Sequence, residues 1–276
     1  MLTGHYNYKI SVIIPTYKPQ SYLWECLESL VKQTFPKQHF EIILVLNGCT
    51  EPWKNQIAEF ISKKMVGMNV VFIHTEQSGV SNARNIALDI VSGEYVTFID
   101  DDDFVSEFYL ERLHEKASAD TISLCYPYAF NDGDVQHRLE YSITTQYNNI
   151  STFGKQAYTR ARKFFSGPCM KLIPMSFIQA RRFDDRFKNG EDSLFMFLIS
   201  DKFKYVDFTD QAAVYFRRYR LNSAIANNRN RYYVIVNSIK IILTYLKYYI
   251  KHPFSYNVYF LTTRILGTIK SIFTTA

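Results

Sequence analysis

The chain has 276 residues, 47% of them hydrophobic and 21% charged, so it can bury a substantial core as one large domain or as a domain with an appendage. Its four cysteines, Cys26, Cys49, Cys125 and Cys169, form no CxxC pair, which sets aside a zinc or disulfide framework and fits reduced thiols in a cytosolic setting. The net charge of +6 sits at one end: 211–276 carries ten Lys/Arg and no Asp or Glu, against 22 basic and 26 acidic residues before it, so the tail points to an anionic surface or ligand.

The first hundred residues alternate short apolar runs with helical periodicity. Strands are expected over 10–14, 41–46, 70–73 and 95–99, and helices over 22–33, 52–64 and 81–91. Strands spaced by helices of this length predict βαβ units and a parallel sheet. The polar opening 1–9 and the short run 10–14 do not read as a signal peptide. Between 104 and 210 the pattern is mixed, with a helix expected over 105–117, strands over 124–128 and 205–208, and a helix over 193–199. Beyond 229 the chain is helical, with an apolar stripe at Ile235, Ile239, Ile242, Leu246 and Tyr249 opposite Lys240, Thr244, Lys247 and Lys251. A second stripe, Val258, Leu261, Ile265 and Ile272, follows Pro253. No run reaches 18 uncharged apolar residues, so no transmembrane helix is expected.

In an open parallel sheet, ligands collect beyond the carboxyl ends of the strands. Three such ends carry polar or special residues: Pro15, Thr16 and Tyr17; Asn47 and Gly48; and the four consecutive aspartates Asp100, Asp101, Asp102 and Asp103. Carboxylates ~4 Å apart repel by roughly 4 kcal/mol at an effective dielectric near 20. Either an exposed acidic turn or a bound cation relieves that repulsion. Mg2+ or Mn2+ suits the second case, because these ions take one or two carboxylates plus substrate phosphates. The run SGVSNARN (78–85) is a small-residue turn entering a helix, where backbone N–H groups and Arg84 can meet an anion or simply cap the helix.

Taken together, ISVIIPTY (10–17), EIILVLNG (41–48), GVSNARN (79–85) and GEYVTFIDDDD (93–103) resemble the family 2 glycosyltransferases, inverting enzymes of the GT-A fold. The resemblance spans about 8–225. It implies an α/β fold, a Rossmann-like mostly parallel sheet flanked by helices, with a nucleotide-sugar half (1–103), an acceptor half (104–228) and a C-terminal amphipathic helical extension (229–276). It places Pro15, Thr16 and Tyr17 at the nucleotide base and Arg84 beside the diphosphate. Asp100 and Asp102 match the Asp-x-Asp pattern, with Asp100 near the ribose, Asp102 as the ligand of Mn2+ or Mg2+, and Asp101 contributing little. The segment FDDRFKNGED (183–192) is similar to the family's Glu-Asp segment, which makes Asp192 the general base and Glu191 its neighbour on the acceptor side. GPCMKL (167–172) then shapes the acceptor side, and YFRRYRLNS (215–223) supplies arginines for phosphates or lipid. Where many relatives have Asp-Asp-Gly-Ser, this chain has Leu46, Asn47, Gly48 and Cys49. Leu46 cannot hydrogen-bond a uracil, so Asn47 is left to substitute for it.

The expected activity is transfer of a sugar from a nucleotide-diphospho-sugar, a UDP-sugar foremost, to a glycan or lipid-linked acceptor in cell-surface polysaccharide synthesis. A silent nucleotide-sugar-binding relative and a glycosidase-like hydrolase with paired carboxylates are the competing readings. No nucleic-acid partner is expected. The tail's stripes fit an anionic surface on the inner face of the cell membrane, or packing on the catalytic domain or on a second copy in a homodimer.

Overall fold

The computed structural model describes residues 6–220 and 231–274. In the first half, β1 (Tyr8–Thr16), α1 (Ser21–Val31), β2 (Phe40–Asn47), α2 (Trp53–Lys64), β3 (Asn69–Thr75), α3 (Val80–Ile90) and β4 (Gly93–Phe98) fall within two residues of the expected bounds. The second half contains β5 (Phe104–Val105), α4 (Tyr109–Glu115), β6 (Thr121–Leu124), β7 (Tyr126–Asn131), β8 (Asp134–Arg138), α5 (Ser142–Ile150), β9 (Gln156–Ala157), β10 (Lys171–Pro174), α6 (Met175–Ile178), α7 (Glu191–Leu198), β11 (Tyr205–Phe208) and β12 (Val214–Tyr219). Two long helices, α8 (Arg231–Lys251) and α9 (Val258–Thr274), end the chain. The expected boundary at 228 and residues 221–223 of the arginine segment lie outside the described residues.

Eight strands form the main sheet in the order β3-β2-β1-β4-β10-β6-β11-β9. β3, β2, β1 and β4 are mutually parallel, and β10 then enters antiparallel to both β4 and β6. β2 is buried at every position, as its unbroken apolar run requires of a strand covered on both faces. On α3, Ala83, Arg84, Ala87 and Leu88 share the buried face, and the small alanines allow the helix to lie close on the sheet.

A smaller sheet, β5-β12-β7-β8, stands beside the strand ends. The apolar run expected as one strand over 124–128 is two strands. At Cys125 the backbone changes partner: its N–H donates to Met170 O at 3.2 Å, while that of Tyr126 donates to Ala213 O at 2.9 Å. The helix expected from 105 starts at Tyr109, because Phe104 and Val105 pair with Phe216 and Tyr215 of β12.

The tail helices pack on the catalytic body along faces that share Tyr249, Leu261 and Ile265 with the expected stripes but on α8 are centred elsewhere. Asn237, Ser238, Ile241 and Tyr245 are buried on α8, whereas Ile239 is half exposed. Polar contacts choose that face: Asn237 Nδ2 donates to Asn189 O at 3.1 Å, and Tyr245 Oη to Ser193 Oγ at 3.0 Å. On α9 the buried side chains are Phe260, Leu261 and Arg264, while Val258 faces outward. Among the described residues, no helix is long and apolar enough to cross a membrane.

Candidate active site

The carboxyl ends of β1, β2 and β4 meet as expected, and short hydrogen bonds tie them together. Thr16 Oγ1 donates to Asp101 Oδ2 at 2.5 Å. Asn47 uses both ends of its amide: Nδ2 donates to Thr16 O at 2.7 Å, and Oδ1 accepts from the Gly79 N–H at 2.8 Å. Asn47 is therefore a buried brace that joins β1, β2 and the turn into α3. Leu46, Pro15 and Thr16 are buried as well, and only Tyr17, 48% exposed, offers a ring to the crevice. Gly48 has φ +65°, and a Cβ there would lie 2.4 Å from Ser78 Cβ, so the turn tolerates no side chain.

The aspartate run leaves β4 as a tight turn, with the Asp103 N–H donating to Asp100 O at 3.1 Å. β12, on the smaller sheet, is bolted to it. The Arg218 N–H donates to Asp103 Oδ1 at 2.7 Å and Arg218 Nε to Asp102 O at 2.8 Å, while its two Nη atoms pair with Glu25 and Asp132. Arg220 places Nη2 2.6 Å and Nε 2.8 Å from Asp102 Oδ2 and stacks over the Tyr22 ring. Burial pushes the Asp101 carboxyl up to about 7, with the Thr16 hydrogen bond pulling the other way. Burial and neighbouring Asp100 also raise Asp102, against the pull of Arg220. Arginines offset the charge of this turn, and on Asp102 the Arg220 guanidinium stands where a cation would bind. Among the described residues no three His, Cys, Asp or Glu groups form a metal cage. A divalent ion that takes one or two carboxylates and completes its shell with phosphate and water needs none.

The start of α7 is joined to this turn by Arg84. Arg84 is 2% exposed, and its Nη1 is 2.5 Å from Asp192 Oδ1 while Nη2 is 2.9 Å from Asp100 Oδ1. Burial opposes its charge, but Asp192 and Asp100 outweigh that and raise its pKa. Asp192, in the first turn of α7, is raised by burial, with Arg84 pulling it down. Glu191 beside it is buried. Asn85, to which the sequence assigned no role, clamps the approach to Asp192: its Nδ2 donates to Phe183 O at 2.9 Å and its Oδ1 accepts from the Phe183 N–H at 2.8 Å. Its position next to Arg84 in the 79–85 motif was the available signal. Buried Lys171 donates from Nζ to Gly167 O and Cys169 O at 2.7 and 2.5 Å, fixing the loop against Asp192.

A nucleotide-type parallel half-sheet, an acidic turn after its fourth strand and a helix-borne carboxylate tied back to that turn define a GT-A-type transferase architecture. Residues 11–181 match the family described as Glycosyl transferase family 2, and the chain belongs to that family. It is 33% identical over 211 residues to glycosyltransferase GlyA of Streptococcus pneumoniae, covering 72% of this chain and 29% of that protein. It is 29% identical over 206 residues to the minor teichoic acid biosynthesis protein GgaB of Bacillus subtilis, covering 72% and 22%. The chain thus spans under a third of the length of these two relatives. In fold it is similar to S. aureus TarS 1–349 in complex with UDP-GlcNAc, with TM-score 0.67 and 24% identity over 86% of this chain and 66% of that one. It is also similar to the mannosyltransferase PcManGT from Pyrobaculum calidifontis, solved with GDP-Man and Mn2+, with TM-score 0.62 and 16% identity over 97% and 70%.

Proposed function

We propose that this chain is an inverting glycosyltransferase that moves a sugar from a nucleotide-diphospho-sugar, a UDP-sugar foremost, to a hydroxyl of a glycan or lipid-linked acceptor in cell-surface polysaccharide synthesis. The observation that carries this reading is the buried Arg84 bridge, which sets a helix-borne carboxylate, Asp192, at a fixed reach from the Asp100 turn. The neighbours support it: one was solved with UDP-GlcNAc and another with GDP-Man and Mn2+.

In this mechanism Tyr17 stacks on the base, and Asn47 and Gly48 shape the floor beneath it. Asp100 faces the ribose, and Asp102 would hold Mn2+ or Mg2+, with Asp101 kept in place by Thr16. When bound, the cation stabilises negative charge on the leaving diphosphate. Asp192 accepts the acceptor hydroxyl proton as its oxygen attacks the anomeric carbon from the side opposite the diphosphate. A carboxyl raised by burial is a stronger base than a solvated one, which suits this task. Arg84 orients Asp192 by its hydrogen bond and keeps it ionised, and Glu191 lines the acceptor side. A panel of nucleotide sugars, read by nucleotide release with and without chelator, tests the reading. Chelator-sensitive release with one donor is expected, together with weakened metal-dependent donor binding in Asp102→Ala. Tight nucleotide binding with no turnover on any acceptor would favour a silent relative instead.

The outward face of the tail supports a peripheral membrane location. Ile239, Leu243 and Ile250 form an exposed apolar ridge on α8 flanked by Lys240, Lys247 and Lys251, and Phe254, Val258, Leu266 and Phe273 continue it through α9. An apolar ridge edged by lysines, with no acidic residue in 211–276, fits the surface of an anionic bilayer.

A further inference from the structure

A cleft of about 560 Å3 opens between the segment Tyr158–Ser166, the start of α7 and the two tail helices. Its walls carry Arg162, Lys163 and Arg264 with several hydroxyl and amide groups, and no Asp or Glu lines it. Arg264 is 8% exposed, and its hydrogen-bond partners are neutral oxygens. Its Nη1 donates to Phe165 O at 2.9 Å and Nη2 to Arg162 O at 2.8 Å, with Ser193 Oγ 3.3 Å away. Its Nε is buried without an acceptor. Burial lowers its pKa, Tyr245 pulls the other way and the nearby Arg162 lowers it further, the opposite outcome to Arg84, whose two carboxylates raise it. A buried cation held only by neutral oxygens beside a second cation is costly unless an anion comes to it.

The place of this cleft says which anion. Ser193 on its wall follows Asp192 in α7, and Ser166 on its wall precedes Gly167, where an added Cβ would lie 3.9 Å from Asp192 Oδ2. The cleft therefore adjoins the proposed base on the side away from Asp100. Tyr141, also on the wall, accepts from Arg217 Nη1 at 3.4 Å, so a further cation stands at the rim.

We propose that this cleft binds a phosphate group of the acceptor, holding it while a nearby hydroxyl reaches Asp192. Resting on the transferase reading above, this adds an acceptor class: a phosphate-bearing one, either a phosphodiester chain or a lipid-linked diphosphate. Two or three cations around one phosphate, with serine and asparagine donors between them, match that chemistry better than a neutral glycan.

The test is calorimetric titration of the full chain with sn-glycerol 3-phosphate and with farnesyl diphosphate, each in saturating UDP so that the donor crevice is filled. Wild type should bind at least one probe, and Arg162→Gln/Lys163→Gln, altered on the partly exposed wall, should weaken it about tenfold. Arg264→Gln should weaken it further, with Arg264→Lys recovering part of the loss; the wall variant keeps the test decisive if the buried change unfolds the protein. Preference for glycerol phosphate supports a phosphodiester acceptor, and preference for the diphosphate a lipid-linked one. No binding of either probe, or equal binding by the wall variant, overturns the inference. UDP binding by wild type is titrated separately. UDP binding without probe binding sinks the phosphate site alone, and probe binding without UDP binding sinks the donor reading alone.

Discussion

On the proposed role of Asp102 as the cation's ligand, Arg220 competes for it, and removing Arg220 should strengthen metal binding in the absence of nucleotide. Its Nη2 and Nε approach the same carboxylate oxygen at 2.6 and 2.8 Å, with side chains only 25% and 19% exposed. Opposite charges ~4 Å apart attract by roughly 4 kcal/mol at an effective dielectric near 20. Partial solvent screening and the cost of desolvating both groups reduce the net to about 1–2 kcal/mol. A metal ion must displace that pairing before it binds, so Arg220→Gln should lower the Mn2+ Kd by about tenfold. The assay is Mn2+ titration at pH 8 without nucleotide, followed by calorimetry or by loss of the free-ion spin-resonance signal, with circular dichroism as the check on folding. A folded variant with unchanged or weaker Mn2+ binding would refute the argument that Arg220 stands in the cation's place.

Four further outcomes follow from the same geometry. Asp192→Asn should retain donor binding and lose about 10²- to 10⁴-fold in transfer rate; a near wild-type rate would remove it as the base. Gly190→Ala should destabilise the fold by about 1–3 kcal/mol in denaturant melts, because φ is +82° and the new Cβ would lie 2.6 Å from Ile241 Cδ1. Burial lowers Lys171 to about 8, below its unfolded value, so its charge disfavours the fold below that pH and the penalty is lifted as pH rises from about 8 towards 10.5. Wild type should therefore gain stability relative to Lys171→Met across that window, and parallel pH profiles would contradict it. The 276-residue chain should float with phosphatidylglycerol liposomes but not with neutral ones, and Ile239→Glu/Leu243→Glu should abolish flotation; equal recovery would remove the membrane reading.

The first four strands were legible because a strand buried on both faces leaves an unbroken apolar run, and a βαβ unit is local in sequence. The second half was not. β6 and β7 read as one strand because nothing in 124–128 announces that Cys125 hands the backbone from one sheet to another. The β5–β12 pair joins residues more than a hundred positions apart, so its two-residue partner was absorbed into a helix. The site residues were named by motif, but their partners were not. Arg84 was expected at the diphosphate, and the structure finds it between Asp100 and Asp192. The tail's inward face is only partly legible, because hydrophobic periodicity weighs Ile239 above Asn237, whereas a hydrogen bond to Asn189 O and a tyrosine reaching Ser193 turn the polar positions of α8 inward.

Gly190 and Ile241 bear on how the protein can be cut and recombined. The residue before the base helix has no side chain, and a tail isoleucine fills the space where one would be. The contact between α8 and the start of α7 is thus a shared wall beside Asp192. A graft that exchanges tails between relatives must carry the matching partner for position 190, and shortening the chain at 229 would strip the cover from the helix that holds Asp192. In this chain the tail and the Asn189–Ser193 turn should therefore move together as one unit of exchange.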